Sequence, residues 1–170
     1  MRSLSALGYL AALYIHYQRR KWYGRGRPLS EPLRKRFGEY FAAGDLSSVR
    51  IVEHARLPIP NPPGYGQPLK LSRFALPDPG QVAAMTFDDV VVARGEIWES
   101  LLFHEMVHVT QFRLLGVRRF AEQYMRGFVA TRSYGGIPLE VCAFALEERF
   151  LRGGGPVDVE AEVRRRIDLG

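Results

Sequence analysis

The run Leu101-Leu102-Phe103-His104-Glu105-Met106-Val107-His108-Val109 constrains this chain more than any other segment. It is apolar except for two histidines and one glutamate. A helix apolar on nearly every side belongs in a core. Three polar groups inside it are costly to bury unless something partners them. His104 and His108 are four residues apart, so on a helix both imidazoles leave the same face and can meet one metal ion. Glu105 is turned by about 100° from His104. It therefore sits beside such an ion, partly facing solvent, where it can take a proton from a water the metal acidifies. With 4 His and 12 Glu in 170 residues, chance places H-E-x-x-H somewhere in the chain with a probability of roughly 0.6%. Without a metal the same segment is a helix carrying two half-buried histidines.

A catalytic zinc takes three protein ligands and keeps one position open. No histidine follows His108, which removes the H-x-x-G-x-x-H extension and leaves a carboxylate as third ligand. Glu140 is the best placed. It falls in the first turn of a helix opened by Pro138, behind Gly135-Gly136, and small Cys142 and Ala143 let that helix approach closely. A helix N-terminus also favours a carboxylate without any metal. Glu147, two turns later on nearly the same face, suits a solvated or a supporting position better than ligation, and Glu148 is a fallback. Tyr134, beside the glycine pair, either donates its phenol to an oxyanion or simply packs. His54 and Arg132 are more distant candidates. Gln111, one turn after His108, either supports the metal ligands from behind or is an ordinary exposed helix residue. Lone Cys142 reads as small packing and excludes a disulfide framework or a multi-cysteine zinc cluster.

Around this helix the periodicities predict an α+β chain. Helical spacing joins Leu33, Phe37, Tyr40 and Phe41, with Ser30 as N-cap. A strand is expected within 46–57, with Ile51 and Val52 on opposite faces. Residues 58–70 hold five prolines and two glycines and read as a loop. Strands over 82–87 and 90–94 form a hairpin around Asp88-Asp89. Val90-Val91-Val92-Ala93 suits a sheet edge onto which an extended peptide adds, or an interior strand. The motif helix is expected over 96–115, broken at Gly116 and resumed over 117–128. A further helix covers 138–151, and Val159, Val163 and Ile167 mark a terminal amphipathic one.

Residues 4–17 are apolar but fall short of the roughly 20 residues a spanning helix needs. They read either as a helix packed on the domain or as a membrane-surface anchor. The flank of Arg19, Arg20, Trp22, Tyr23, Arg25 and Arg27 suits headgroups. No small-x-small cleavage site follows, so no cleavable signal peptide is expected. The net charge is +6. Of the 24 basic residues 21 are Arg, a bias that points no further than to acidic partners in general. No nucleic-acid recognition module accompanies it, so nucleic acid is not expected as a partner.

The hairpin, then L-L-x-H-E-x-x-H-V-x-Q-F, then Y-x-x-x-P-x-E-x-x-A resembles the small bacterial zincins of gluzincin type. It is similar in particular to an uncharacterised zincin-like domain also found in contractile injection system proteins. His104, Glu105, His108, Val109, Gln111, Tyr134, Pro138, Glu140 and Ala143 carry the resemblance, which covers about 82–151. It implies a zincin-like fold: a small, mostly antiparallel sheet packed on a helical layer that contains the H-E-x-x-H helix. The chain is expected to divide into 1–45, a helical basic extension that the resemblance does not cover; 46–151, the zincin-like domain; and 152–170, a terminal helix packed on it. The resemblance also implies Zn2+ as cofactor and a peptide or protein as substrate. A bacterial protein that is cytoplasmic or membrane-associated is expected, with the N-terminal segment offering peripheral membrane contact through 3–27. Metallopeptidase chemistry, with Glu105 as general base, is the leading expectation. A zinc-bound, non-hydrolytic assembly or targeting module is the second. A basic membrane- or nucleic-acid-binding protein with an incidental motif is the third.

Overall fold

The computed structural model describes residues 2–58 and 82–167. Among them are helices α1 (Arg2–Tyr23), α2 (Glu31–Phe37) and α3 (Ala43–Ser48), strands β1 (Arg50–His54), β2 (Ala84–Phe87) and β3 (Val90–Arg94), then helices α4 (Glu99–Thr131), α5 (Pro138–Leu151) and α6 (Val159–Arg166). A 3-10 turn at Tyr134–Gly136 precedes α5. The class is α+β, as expected. Apart from Pro58, the proline-rich loop expected over 58–70 lies outside the described residues.

The three strands run in the order β1-β3-β2. β2 and β3 form the expected hairpin, with Phe87 opposite Val90 and Ala84 opposite Ala93. Asp88 turns it at a φ of 62°. β1 lies parallel to β3, Ile51 opposite Val91. The sheet is therefore mixed, not mostly antiparallel. A parallel pair needs a crossover between its strands, and neither strand's own sequence carries a signal for it. β3 is the central strand, so Val90–Ala93 are not the sheet edge. The three valines are buried because both faces of the strand are covered. β2 is the strand at the α4 end of the sheet order.

Alternation decides which residue meets which layer. Ile51, Val91, Ala93 and Ala84 join the main core with Phe103, Met106 and Val107 of α4. Val52, Val90, Val92 and Phe87 form a second core under Trp22, Tyr14 and Ile15 of α1. α1 thus covers the back of the sheet. Its earlier half leans on the later half of α4, where a Cβ on Gly8 would stand 3.0 Å from Glu122 Cα. α1 is packed on the domain through this inner face, as the first reading of the N-terminal segment expects. Residues 2–45 supply Ala12, Leu29, Phe37 and Phe41 to the core that α4 and α5 share. No helix among the described residues is long and apolar enough to cross a membrane.

Three local readings change. Residues 43–48, where the strand was expected to begin, form α3, and β1 starts at Arg50. Ser30 occupies the N-cap position of α2 but its side chain caps nothing, and that helix ends at Phe37, before Tyr40 and Phe41. α4 opens at Glu99, not 96. The break at Gly116 is present, with φ 72° and ψ 155°, a conformation essentially reserved for glycine.

The motif helix is anchored at both ends. Phe103 stacks on Phe150 of α5 at 4.3 Å and meets Phe37 of α2 edge-on at 5.7 Å. Buried Asp45 of α3 accepts from the Thr110 hydroxyl at 2.7 Å and from Arg113 at 2.5 Å, and Arg113 reaches Glu160 of α6. α6 seals this side with Val159, Val163 and Ile167, the three positions the spacing had marked.

Candidate metal centre

α4 and α5 bring three donor atoms together. His104 Nε2 and His108 Nε2 are 3.2 Å apart. Glu140 Oε2 is 3.3 Å from the first and 3.4 Å from the second. All three residues are buried, at 3%, 5% and 2% exposure. Among the described residues they form a group able to hold a metal ion. Donors about 2.0–2.1 Å from a small tetrahedral ion stand about 3.3–3.4 Å from one another. The observed triangle has that size.

Each donor is aimed from behind. Gln111 donates its Nε2 to the Leu139 carbonyl at 3.0 Å, which turns its Oε1 toward His108 Nδ1, 2.8 Å away. A carbonyl oxygen only accepts, so His108 carries its proton on Nδ1 and keeps the Nε2 lone pair for the centre. Glu147 does the same for His104, accepting from Nδ1 at 3.1 Å. Imidazoles backed by an oxygen in this way are the usual form of metal-ligating histidine. Gln111 is completely buried, so of its two readings the supporting one is observed. Glu147 stands where a supporting carboxylate should.

A tyrosine holds the third donor. The Tyr124 hydroxyl donates to Glu140 Oε1 at 2.9 Å. The Tyr134 ring lies nearby, against Phe144 at 6.2 Å. Oε1 is thus occupied while Oε2 faces the histidines. Gly127 makes the approach possible, since a Cβ there would stand 2.8 Å from Pro138 Cδ. Cys142 and Ala143 are buried against the same helix.

Glu105 lies beside this triangle, and its Oε2 accepts from the Thr86 hydroxyl of β2 at 2.5 Å. It is only 5% exposed, which corrects the expectation of a partly solvent-facing side chain. The sheet covers it, because Thr86 shares with Ala84 the β2 face turned toward α4.

Metal-free, the cluster is a set of opposed charges. Burial pulls His104 down, but the hydrogen bonds to Glu140 and Glu147 and the nearby Glu105 charge outweigh it, so its pKa is pushed up to about 10. His108 is raised as well: its burial opposes protonation, and the Glu140 charge overcomes that. Burial pushes Glu140 up, yet His108 and His104 together hold it well below the usual carboxylate range. Burial, followed by the Glu140 and Glu105 charges, raises the Tyr134 phenol far above its ordinary value. Both tyrosines are therefore neutral hydroxyl donors at physiological pH.

The remaining candidates lie elsewhere. His54 ends β1 with its ring 4.9 Å from Trp22 and Nδ1 on the Arg56 carbonyl. Arg132 is the exposed left-handed cap of α4. Glu148 pairs with Arg152 on the surface. Cys142 is a buried thiol whose pKa burial raises, in keeping with packing. Sequence reasoning missed Thr86 and Tyr124. Thr86 left a signal, a hydroxyl on the core-facing side of an apolar strand. Tyr124 left none, because its position depends on the angle of the Gly116 break. Compared with family models, curated proteins and solved structures, the chain matches none of them.

Proposed function

We propose that the chain is a zinc-dependent metallopeptidase of gluzincin type, with His104, His108 and Glu140 as metal ligands. The observation that carries the reading is the triangle of 3.2–3.4 Å between their donor atoms with the Glu105 carboxylate beside it. Two imidazoles and one carboxylate are a common donor set for catalytic zinc. When bound, the ion supplies Lewis acidity and brings a water within reach of deprotonation near neutral pH.

The chain's own residues do the rest. Thr86 holds Glu105 Oε2, so the carboxylate stays beside the ligands as proton acceptor and later returns the proton to the leaving amine. Tyr134, neutral and half-buried, is the donor suited to a developing oxyanion. Tyr124 keeps Glu140 turned so that one oxygen faces the histidines. Glu147 and Gln111 fix both imidazole tautomers.

Burial of Glu105 and the three ligands favours a second reading, a closed zinc site in a non-hydrolytic assembly or targeting module, since structural sites are closed. One substitution separates the two. Glu105→Gln preserves size and helix propensity and removes the proton acceptor. For a peptidase, zinc content stays nearly unchanged and turnover on a peptide library falls at least ~100-fold. If wild type and variant both bind zinc and share the same negligible activity, the module reading replaces it.

A further inference from the structure

Among the described residues, one face of α1 has no partner. Gly8, Ala12, Gln18 and Trp22 turn inward and are buried. The opposite arc carries Leu7, Tyr9, Leu10, Leu13 and Tyr17, each between 42% and 60% exposed. Single apolar residues scattered over a surface need no explanation, but a contiguous stripe marks an interaction site. Tyr9, Leu13 and Tyr17 are spaced by four and Leu10 is seven before Tyr17, so they share one side of the helix. Arg20 and Lys21 continue the same arc, and Arg25 follows, all exposed. α1 contains no Asp or Glu.

An apolar and aromatic stripe that ends in cations fits the boundary between acyl chains and phosphate headgroups. The helix cannot span a bilayer while its inner face is engaged by the sheet and α4. Two copies of the chain meeting through this face would bring together two molecules of net charge +6 with no carboxylate on either α1 to answer the cations. An anionic surface answers them.

We propose that the outer face of α1 docks the protein in the plane of an anionic lipid surface. Tyr9, Leu10, Leu13 and Tyr17 seat at the acyl boundary, and Arg20, Lys21 and Arg25 lie among the headgroups. The docking is independent of the metal centre and of the peptidase reading.

The full chain is mixed with vesicles of phosphatidylcholine, either alone or with about 30% phosphatidylglycerol, and sedimented. Binding is expected on the anionic vesicles and much less on the neutral ones, weakening as salt rises. Leu10→Glu with Leu13→Glu should lower the partition at least ~10-fold. Arg20→Gln and Lys21→Gln should lower it about fivefold each. These side chains are exposed, so melting temperatures should match wild type, and the two charge variants test the proposal even if the double leucine variant fails to fold. Absence of binding to anionic vesicles overturns the proposal. So does binding that neither set of variants changes. A dimer in sedimentation velocity that the leucine variant dissolves would assign the face to a second copy instead, which also overturns it.

Discussion

The Thr86 hydroxyl stands 2.5 Å from Oε2 of Glu105, so a residue of the sheet orients the carboxylate of the H-E-x-x-H helix. Thr86→Val keeps the shape of the side chain and removes the donor. One hydrogen bond to a charged group is worth about 1.5 kcal/mol. Turnover is therefore expected to fall about tenfold with zinc content unchanged, and with the loss in kcat more than in KM. Steady-state kinetics with metal analysis on the same samples checks this, and loss of zinc in this variant would assign Thr86 to the metal site itself.

His104→Ala and Glu140→Ala are each expected to abolish stoichiometric zinc. Glu147→Gln should keep zinc but bind it about 10- to 100-fold more weakly, as substitutions behind a ligating imidazole do. Competition with a chelating dye measures all three. Full zinc retention in Glu140→Ala would move the third ligand to Glu147.

Tyr124 donates to Glu140 Oε1, whereas Tyr134 is the proposed oxyanion donor, so their variants are expected to differ. Tyr124→Phe frees Glu140 Oε1 and is expected to weaken zinc binding. Tyr134→Phe should keep zinc and lower turnover about 100-fold or more, the scale of a lost oxyanion donor. Exchange of these two phenotypes would exchange the roles.

pH separates the metal-free protein from the loaded one. Glu140 is held below its ordinary 4.5, so its contribution to stability is present above pH 4.5 and is lost as the pH falls further. His104 is raised from 6.5 to about 10, so its contribution is complete below pH 6.5 and fades as the pH climbs toward 10. The melting temperature of chelator-treated protein is therefore expected to peak between pH 4.5 and 6.5 and to decline on both sides. Zinc displaces the proton held there, so zinc-loaded protein should lose the alkaline decline, and zinc affinity should weaken as the pH drops. Thermal melts across pH with and without chelator test both statements.

Residues that act through local rules were readable in the sequence. The hairpin turn at Asp88-Asp89, the break at Gly116, the helix opened by Pro138 and the buried spacing of Val159, Val163 and Ile167 each follow from neighbours a few positions apart. The i, i+4 histidines and the downstream Glu140 belong to the same kind, since one helix and one short connection bring them together. What escaped depends on distant pairing. β1 lies parallel to β3 because of a crossover whose path is not encoded in either strand. Residues 43–48, AGDLSS, form a helix with little apolar periodicity of their own, and Asp45 is buried there because Thr110 and Arg113 receive it. Glu105 is covered because β2 crosses over it, a fact about the sheet and not about the motif.

The glycine at 116 makes the later half of α4 a lever. Tyr124 lies eight residues beyond it, about 12 Å along a helix, so a change of 10° in the break would carry the phenol roughly 2 Å. That displacement is enough to undo a 2.9 Å hydrogen bond to Glu140. A Cβ at Gly116 would meet nothing within 4 Å, so a substitution there acts through the backbone, whose φ of 72° a side chain resists, and not through the core. The aim of Glu140 would register it, so the bend angle of one helix reaches into the candidate metal centre.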